Sequence, residues 1–291
     1  MPDRVLTPER RADFARLGFA HFPGFVPAPL LARLRSLFDE LLVPDDPSDK
    51  VVIESPSGPV VCNVDLLCQH GNLAALELLG YPPLLELAQA LCGEDFFLIQ
   101  EFAVIKHRGD QLPVLWHKDM VHRRSGTCFT AGIYLDASTA GDGALQVVPG
   151  SHSDPRGICE LAEEPHVEMP MRAGDMLIHD MMLAHASPPM QQGTLRRVIY
   201  FEFLSAAHVA TEAIYPPELV VRRTRLSHLA ARHHAACNPD TPPFDFALPA
   251  PDPGDAQRPV QAVLTEIYAA PINARPSSYC INGVATFDRF D

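Results

Sequence analysis

The hydrophobic and polar positions fall into two textures, with a change near residue 96. Before it, apolar residues recur at helical spacing. "LTPERRADFARLG" predicts a short helix, with Thr7 as N-cap, Pro8 at the first helical position and Gly18 ending it. "FAHFPGFVP" predicts a brief extended segment with a Pro-Gly turn. "APLLARLRSLFDELLVP" predicts a second helix, whose stripe of Leu30, Leu31, Leu34, Leu37, Phe38, Leu41 and Leu42 marks a core face and which Pro44 closes. Residues 44–72 are rich in Pro, Ser, Asp and Gly. They read as a long loop with one strand at "PVVCNV", either a lid or a plain surface excursion. "PPLLELAQALCG" predicts a third helix.

From residue 96 the runs are short and β-like: "FFLIQEFAVIK", "TCFTAGIYLD", "GALQVVPGSH", "HVEMPMRAGDMLIHD" and "RRVIYFEFLS". Such runs, punctuated by Gly, Pro and Asp with no helix between them, predict an antiparallel sandwich or barrel. After residue 210 "PPELVVRRTRLSHLAARHHAA" returns to helical periodicity. A Pro-rich run, "NPDTPPFDFALPAPDPG", reads as a surface linker, and "RPVQAVLTEIYAA" as a last helix before a polar tail. No internal repeat is present. The expected partition is one domain over 1–291. Helices and a lid loop occupy 1–95, a β core 96–205, and a helical and Pro-rich extension 206–291.

Composition narrows the function. The 291 residues carry a formal net charge of -13, which argues against nucleic acid and anionic membrane as partners. No apolar run is long enough to span a bilayer, and the opening residues hold no apolar run fit for a signal peptide, so none is expected. The seven cysteines are odd in number and form no C-x-x-C pair, so reduced thiols in a cytoplasm are expected.

The candidate chemistry begins at "VLWHKDMVH". In an extended chain His117 and Asp119 point to the same side, so one divalent metal could take both. An imidazole plus a carboxylate suits iron better than calcium. A hydrogen-bonded loop pair is the plain alternative. His185, 66 residues past Asp119 (185 − 119), is the best third ligand. Two His and one carboxylate would make the facial triad of non-heme iron(II) oxygenases, which leaves room for a bidentate 2-oxo acid and dioxygen. The remote carboxylate of that acid would need a buried cation. Arg196 and Arg197 stand eleven and twelve residues past His185. Strand alternation groups Arg197 with Ile199, Phe201 and Phe203, and Arg196 with Val198, Tyr200 and Glu202, and parity does not decide between them. His152 and Asp154 form a second His-x-Asp, read as a loop feature, and His179 reads as core or as support for the site.

The order "WHKD", "DGALQVVPGSH", "AGDMLIHDMMLAHASP", then an Arg eleven residues past the His, resembles the phytanoyl-CoA dioxygenase (PhyH) family over roughly residues 5 to 205. The opening "LTPERRADFARLGFAHFPGFV" is also similar. The resemblance implies a mainly β fold with flanking helices, a double-stranded β-helix of the jelly-roll or cupin-like kind. It also implies iron(II), with 2-oxoglutarate and dioxygen as co-substrates. It assigns His117, Asp119 and His185 to the metal and Arg196 to the 2-oxoglutarate carboxylate. It sets Ser187 near that carboxylate and aligns Lys106 and, less closely, Gln100 with cofactor-binding positions. His152 matches a family residue that is not a ligand. Asp119 matters to reaction type, because related halogenases carry a small residue in its place; hydroxylation is expected here. The implied reaction converts 2-oxoglutarate to succinate and carbon dioxide while an aliphatic C–H bond of a small metabolite is oxidised, in a biosynthetic, natural-product setting.

Other residues read more plainly. Trp116 is a packing anchor, Met181 and Met182 are core fillers, and Lys106 reads from its pattern alone as solvated. Arg123 and Arg124 are either a solvated pair or an anion-binding loop. His228, His233 and His234 are placed on an exposed helix. A zinc hydrolase on the same three ligands and a non-catalytic jelly-roll binding protein are the alternatives. Oxygen-dependent succinate formation separates the first reading from both.

Overall fold

The computed structural model describes residues 5–43, 49–56, 58–109, 112–120, 126–270, 272 and 277–286. The element order opens with α1 (Pro8–Leu17), β1 (Phe19–Phe22) and α2 (Ala28–Leu41). The Thr7 side chain accepts from the Arg10 N–H, and Gly18 ends α1 in the left-handed region at φ 83°. A hairpin of β2 (Lys50–Ser55) and β3 (Gly58–Asp65) follows, then α3 (Ala74–Leu79) and α4 (Pro82–Cys92). The strand expected at "PVVCNV" is β3, and the long loop expected around it is corrected by β2. Two strands pair there, extending a sheet through the contact of β3 with β4 (Phe96–His107).

The β region continues with β5 (Val114–Lys118), β6 (Phe129–Tyr134), β7 (Leu145–Val147), α5 (Ile158–Leu161), β8 (Val167–Met169), β9 (Met176–Asp180), β10 (His185–Ser187) and β11 (Leu195–Ser205). The chain closes with α6 (Ala206–Glu212), α7 (Pro217–Cys237), α8 (Val260–Ile267), β12 (Ser278–Ile281) and β13 (Val284–Ala285).

Among the described residues the strands form two antiparallel sheets. One runs β1-β9-β6-β11-β4-β3-β2, the other β13-β12-β5-β10-β7-β8. Through the core of each sheet, β1-β9-β6-β11-β4 and β12-β5-β10-β7, neighbours are far apart in sequence, as in a double-stranded β-helix. This mainly β jelly roll with flanking helices is the fold class expected from the sequence.

Around β11 the larger sheet is buried on both sides. Its outer face packs Ile199, Phe201 and Phe203 of β11 into the main core with α2, α3, α4, α7 and α8. Its inner face sends Val198 and Tyr200 towards Leu145, Val147 and Leu183, between the sheets. The helices approach closely: a Cβ on Gly80 would lie 1.9 Å from the Ala230 carbonyl oxygen of α7. Helix α7 is not the exposed helix expected. His234 on it is buried and bonds the Glu77 carbonyl oxygen through Nδ1 at 3.0 Å, while His228 stacks on Phe246 with centroids 3.8 Å apart. The Pro-rich run is anchored rather than loose, because Phe244 and Phe246 both pack on Phe96.

Two further corrections concern the tail and the cysteines. The segment expected to be a polar tail includes β12, which pairs with β5. Cys159 on α5 and Cys280 on β12 are joined by a disulfide, with Cα atoms 5.0 Å apart, against the expectation of seven reduced thiols.

Candidate metal centre and cofactor cavity

β5 and β10 are hydrogen-bonded neighbours, and their register sets His185 directly opposite His117. Directly opposite residues project to the same face of a sheet, here the inner one. Two histidines 68 residues apart in sequence (185 − 117) thus stand side by side, with ring centroids 4.0 Å apart. Asp119 follows β5 immediately, and its Oδ1 lies 3.4 Å from Nε2 of His117 and 3.5 Å from Nε2 of His185. One potential ligand atom from each of the three residues falls within 4.8 Å of the others.

Backbone carbonyls fix the tautomers. His117 Nδ1 lies 2.8 Å from the Leu115 carbonyl oxygen, and His185 Nδ1 lies 2.9 Å from that of Leu183. A carbonyl oxygen only accepts, so each Nδ1 carries a proton, and in its neutral form each ring presents the lone pair on Nε2. Both lone pairs face Asp119. The Asp119 carboxylate is itself oriented, because Oδ2 accepts a 2.7 Å hydrogen bond from Thr130 Oγ1 on β6.

The electrostatics suit the same purpose. Burial pushes the Asp119 carboxyl upwards, but the surrounding histidines, His185 foremost, outweigh it and hold the carboxyl below the usual carboxylate range. Burial first, and then His117, hold His185 well below its ordinary value. An ionised carboxylate beside a neutral imidazole is the protonation state a divalent metal requires.

A small cavity adjoins the three residues. Phe102, Val104, Val114, Leu145 and Tyr200 give it apolar walls, and Ser187 and Arg196 supply polar ends. The Phe102 and Tyr200 rings stack with centroids 5.2 Å apart. Arg196 is 1% exposed. It donates from one terminal nitrogen to the Gly143 carbonyl oxygen, while among the described residues Nε has no hydrogen-bond partner. Ser187 Oγ is likewise buried and without a hydrogen-bond partner. A buried guanidinium without a carboxylate partner and an unsatisfied hydroxyl cost several kcal/mol of lost solvation, of order 1–3 for the hydroxyl alone. A small acid with a carboxylate at that end of the cavity would satisfy both, so these residues fit 2-oxoglutarate.

Arg197 points the other way. Asp136 grips it at two points, Nε to Oδ2 and Nη2 to Oδ1, each 2.8 Å, and the guanidinium lies over the Phe38 ring. Lys106 is buried, not solvated. Its Nζ donates to the carbonyl oxygens of Leu112, Ser187 and Pro188, bracing the chain after β10. Gln100 does not line the cavity and instead bonds Glu202, which stands directly opposite it on β11. His152 faces α1, with Nε2 3.3 Å from the Ala15 carbonyl oxygen, and Asp154 is occupied by Arg156. Trp116 packs against His166 and away from the metal residues, and Met181 is buried in the core. Arg123 and Arg124 lie outside the described residues.

Thr130, Phe102, Tyr200 and Tyr279 also adjoin the site, and the sequence offered no sign of them. His179 joins them more closely than expected. It is buried, its ring centroid is 4.5 Å from that of His185, and its Nδ1 is 3.7 Å from Asp119 Oδ2.

Comparison with known proteins agrees with the fold and extends it. No curated protein sequence matches significantly. Among solved structures, EvdMO1 is similar at 28% identity and a TM-score of 0.62, covering 68% of this chain and 50% of that one. The chain thus spans half the length of that protein. AviO1 from Streptomyces viridochromogenes Tue57 is similar at 28% identity and a TM-score of 0.60, covering 69% of this chain and 95% of that one. SnoN, described as a non-heme α-ketoglutarate-dependent epimerase from nogalamycin biosynthesis, is similar at 25% identity and a TM-score of 0.59, covering 71% and 84%. The model of the phytanoyl-CoA dioxygenase (PhyH) family matches residues 14–198, well over half of the chain. With its jelly roll, its converging His, Asp and His, and this match, the chain belongs to the PhyH family of iron- and 2-oxoglutarate-dependent oxygenases.

Proposed function

We propose that the protein oxidises an aliphatic C–H bond of a small metabolite in a biosynthetic pathway, by hydroxylation, with succinate and carbon dioxide as co-products. The observation that carries this reading is the convergence of two carbonyl-tethered imidazoles and one ionised carboxylate beside a cavity that ends in a buried arginine. In this reading His117, Asp119 and His185 hold iron(II), and Arg196 with Ser187 holds the remote carboxylate of 2-oxoglutarate. Iron so bound supplies the redox chemistry that couples decarboxylation of the 2-oxo acid to oxidation of the substrate.

The chain's own residues do the rest. Thr130 keeps Asp119 turned towards the histidines. The Leu115 and Leu183 carbonyls keep both rings in the binding tautomer. Phe102 and Tyr200 wall the cavity with apolar surface, which excludes water and strengthens the charge–charge contact between Arg196 and a bound acid. Lys106 sets the position of Ser187 through its carbonyl. The biosynthetic setting is supported by SnoN, whose description names nogalamycin biosynthesis. That description also names epimerisation, so the product is the part of the reading most open to test.

The test is oxygen uptake and succinate formation with iron(II) and 2-oxoglutarate, followed by mass spectrometry of candidate metabolites. A gain of 16 Da, one oxygen, marks hydroxylation. An unchanged mass with inverted stereochemistry moves the reading to epimerisation. Hydrolysis without oxygen or 2-oxoglutarate rules both out.

A further inference from the structure

The family match ends at residue 198, yet one aromatic ring on the metal centre comes from 81 residues beyond it (279 − 198). Strand β12 pairs with β5 on the side away from β10, with Tyr279 opposite His117 and Ser278 opposite Lys118. His117 is also directly opposite His185 on β10. Tyr279, His117 and His185 therefore form one ladder across three strands. The Tyr279 ring lies on the His117 imidazole with centroids 4.8 Å apart and planes only 6° from parallel.

The segment is fixed at both ends. Ser277 Oγ donates to the Asp119 carbonyl oxygen at 3.0 Å. Cys280, the residue after Tyr279, is bonded to Cys159 of α5. Both members of the His117–Asp119 pair are thus held by the same few residues near the C-terminus.

The need for such a hold follows from geometry. The Nδ1 bond to Leu115 fixes one point of the His117 ring and leaves it free to tilt about that contact. A face-on ring removes the tilt. We propose that Tyr279 is a positioning residue for the metal centre. Its ring fixes the plane of the His117 imidazole, so that Nε2 stays aimed at the point shared with Asp119 and His185. The stacking surface does this, not the hydroxyl. The proposal rests on the reading of His117 as a metal ligand.

Cobalt(II), added anaerobically to the metal-free protein and followed by its visible absorption, tests the proposal without turnover. Tyr279→Leu removes the ring, and Tyr279→Phe keeps it. Residues that orient metal ligands typically contribute about 10- to 100-fold to affinity. Tyr279→Leu is expected to weaken cobalt binding about 10-fold and to shift the absorption bands, while Tyr279→Phe restores both to the wild-type values. Should Tyr279→Leu fail to fold, Tyr279→Val, which suits a strand, takes its place. Affinity within twofold of wild type in the ring-deleted variant overturns the proposal, as does an equal loss in Tyr279→Phe. His117→Ala separates the two levels. If it binds cobalt as well as wild type, the ligand assignment falls and the proposal with it. If it loses cobalt while Tyr279→Leu does not, the positioning role alone falls.

Discussion

Arg196 and Arg197 are adjacent and chemically identical, and the fold separates them completely. Arg196 enters the space between the sheets and lines the same cavity as Ser187; Arg197 passes to the outer face and is held by Asp136. Strand alternation could not decide between them, because it names two faces without saying which is inside; only the spacing shared with the family favoured Arg196. The more apolar face, with Ile199, Phe201 and Phe203, looks like a barrel interior, but the helices bury it from outside. The face that carries Arg196, Tyr200 and Glu202 is the inner one, since a site needs polar groups. If Arg196 anchors 2-oxoglutarate, Arg196→Leu raises its half-saturating concentration by about 10- to 150-fold, the equivalent of one charged hydrogen-bonding partner. Arg197→Leu leaves that concentration unchanged and lowers the melting temperature, because Asp136 loses its partner. Saturation curves for the two variants check this, and the reverse pattern would exchange their roles. His117, Asp119 and His185 were legible because period-two geometry and the ligand chemistry both point to them. Thr130 was not, because a threonine in a strand carries no mark of what it will face.

At the scale of elements, long periodic segments were readable and short paired ones were not. α1, α2, α4, α7 and α8 follow from their apolar spacing and Pro or Gly boundaries. In the β2–β3 hairpin only β3 was legible, at "PVVCNV"; β2 was read as loop, because Pro, Ser and Asp surround it and the strand is half exposed. β12 was missed for a different reason. It spans four residues, and its partner strand lies 160 positions earlier (278 − 118), so nothing local marks it. The disulfide that secures β12 predicts a thiol count. Denatured but unreduced protein should titrate five thiols, and reduced protein seven. Seven before reduction would show that the Cys159–Cys280 bond does not form. His228 on α7 gives a pH prediction. Burial against Phe246 holds it at about 4, against an ordinary value of 6.5. Between those values the unfolded chain binds a proton that the folded chain refuses, so stability falls as pH drops from 6.5 towards 4. Urea midpoints at pH 7 and pH 5 should differ less in His228→Phe than in wild type; parallel losses would place the acid sensitivity elsewhere.

For the whole molecule, the helical periphery and the β core are joined by a buried charge. Arg223 of α7 is fully buried; it pairs with Glu101 of β4 and donates to the Leu98 carbonyl oxygen at 3.0 Å, and Tyr268 donates to the same carboxylate. Removing one partner of such a pair strands the other charge and typically destabilises by about 3–5 kcal/mol. Arg223→Met should lower stability by that order, and the double variant with Glu101→Met should recover much of it. Denaturant titration checks both, and a double variant no better than the single one would contradict the account.

The central claim is that His117, Asp119 and His185 form a working iron centre. It is tested most directly by succinate formation from 2-oxoglutarate, with iron(II) added anaerobically before oxygen, in wild type and Asp119→Ala. Members of this enzyme class turn over slowly without their main substrate, so the assay requires no knowledge of it. Succinate that depends on iron and oxygen, and is lost in Asp119→Ala, is the result predicted. Equal succinate from both proteins, or none from wild type even with a broad metabolite mixture, would contradict it.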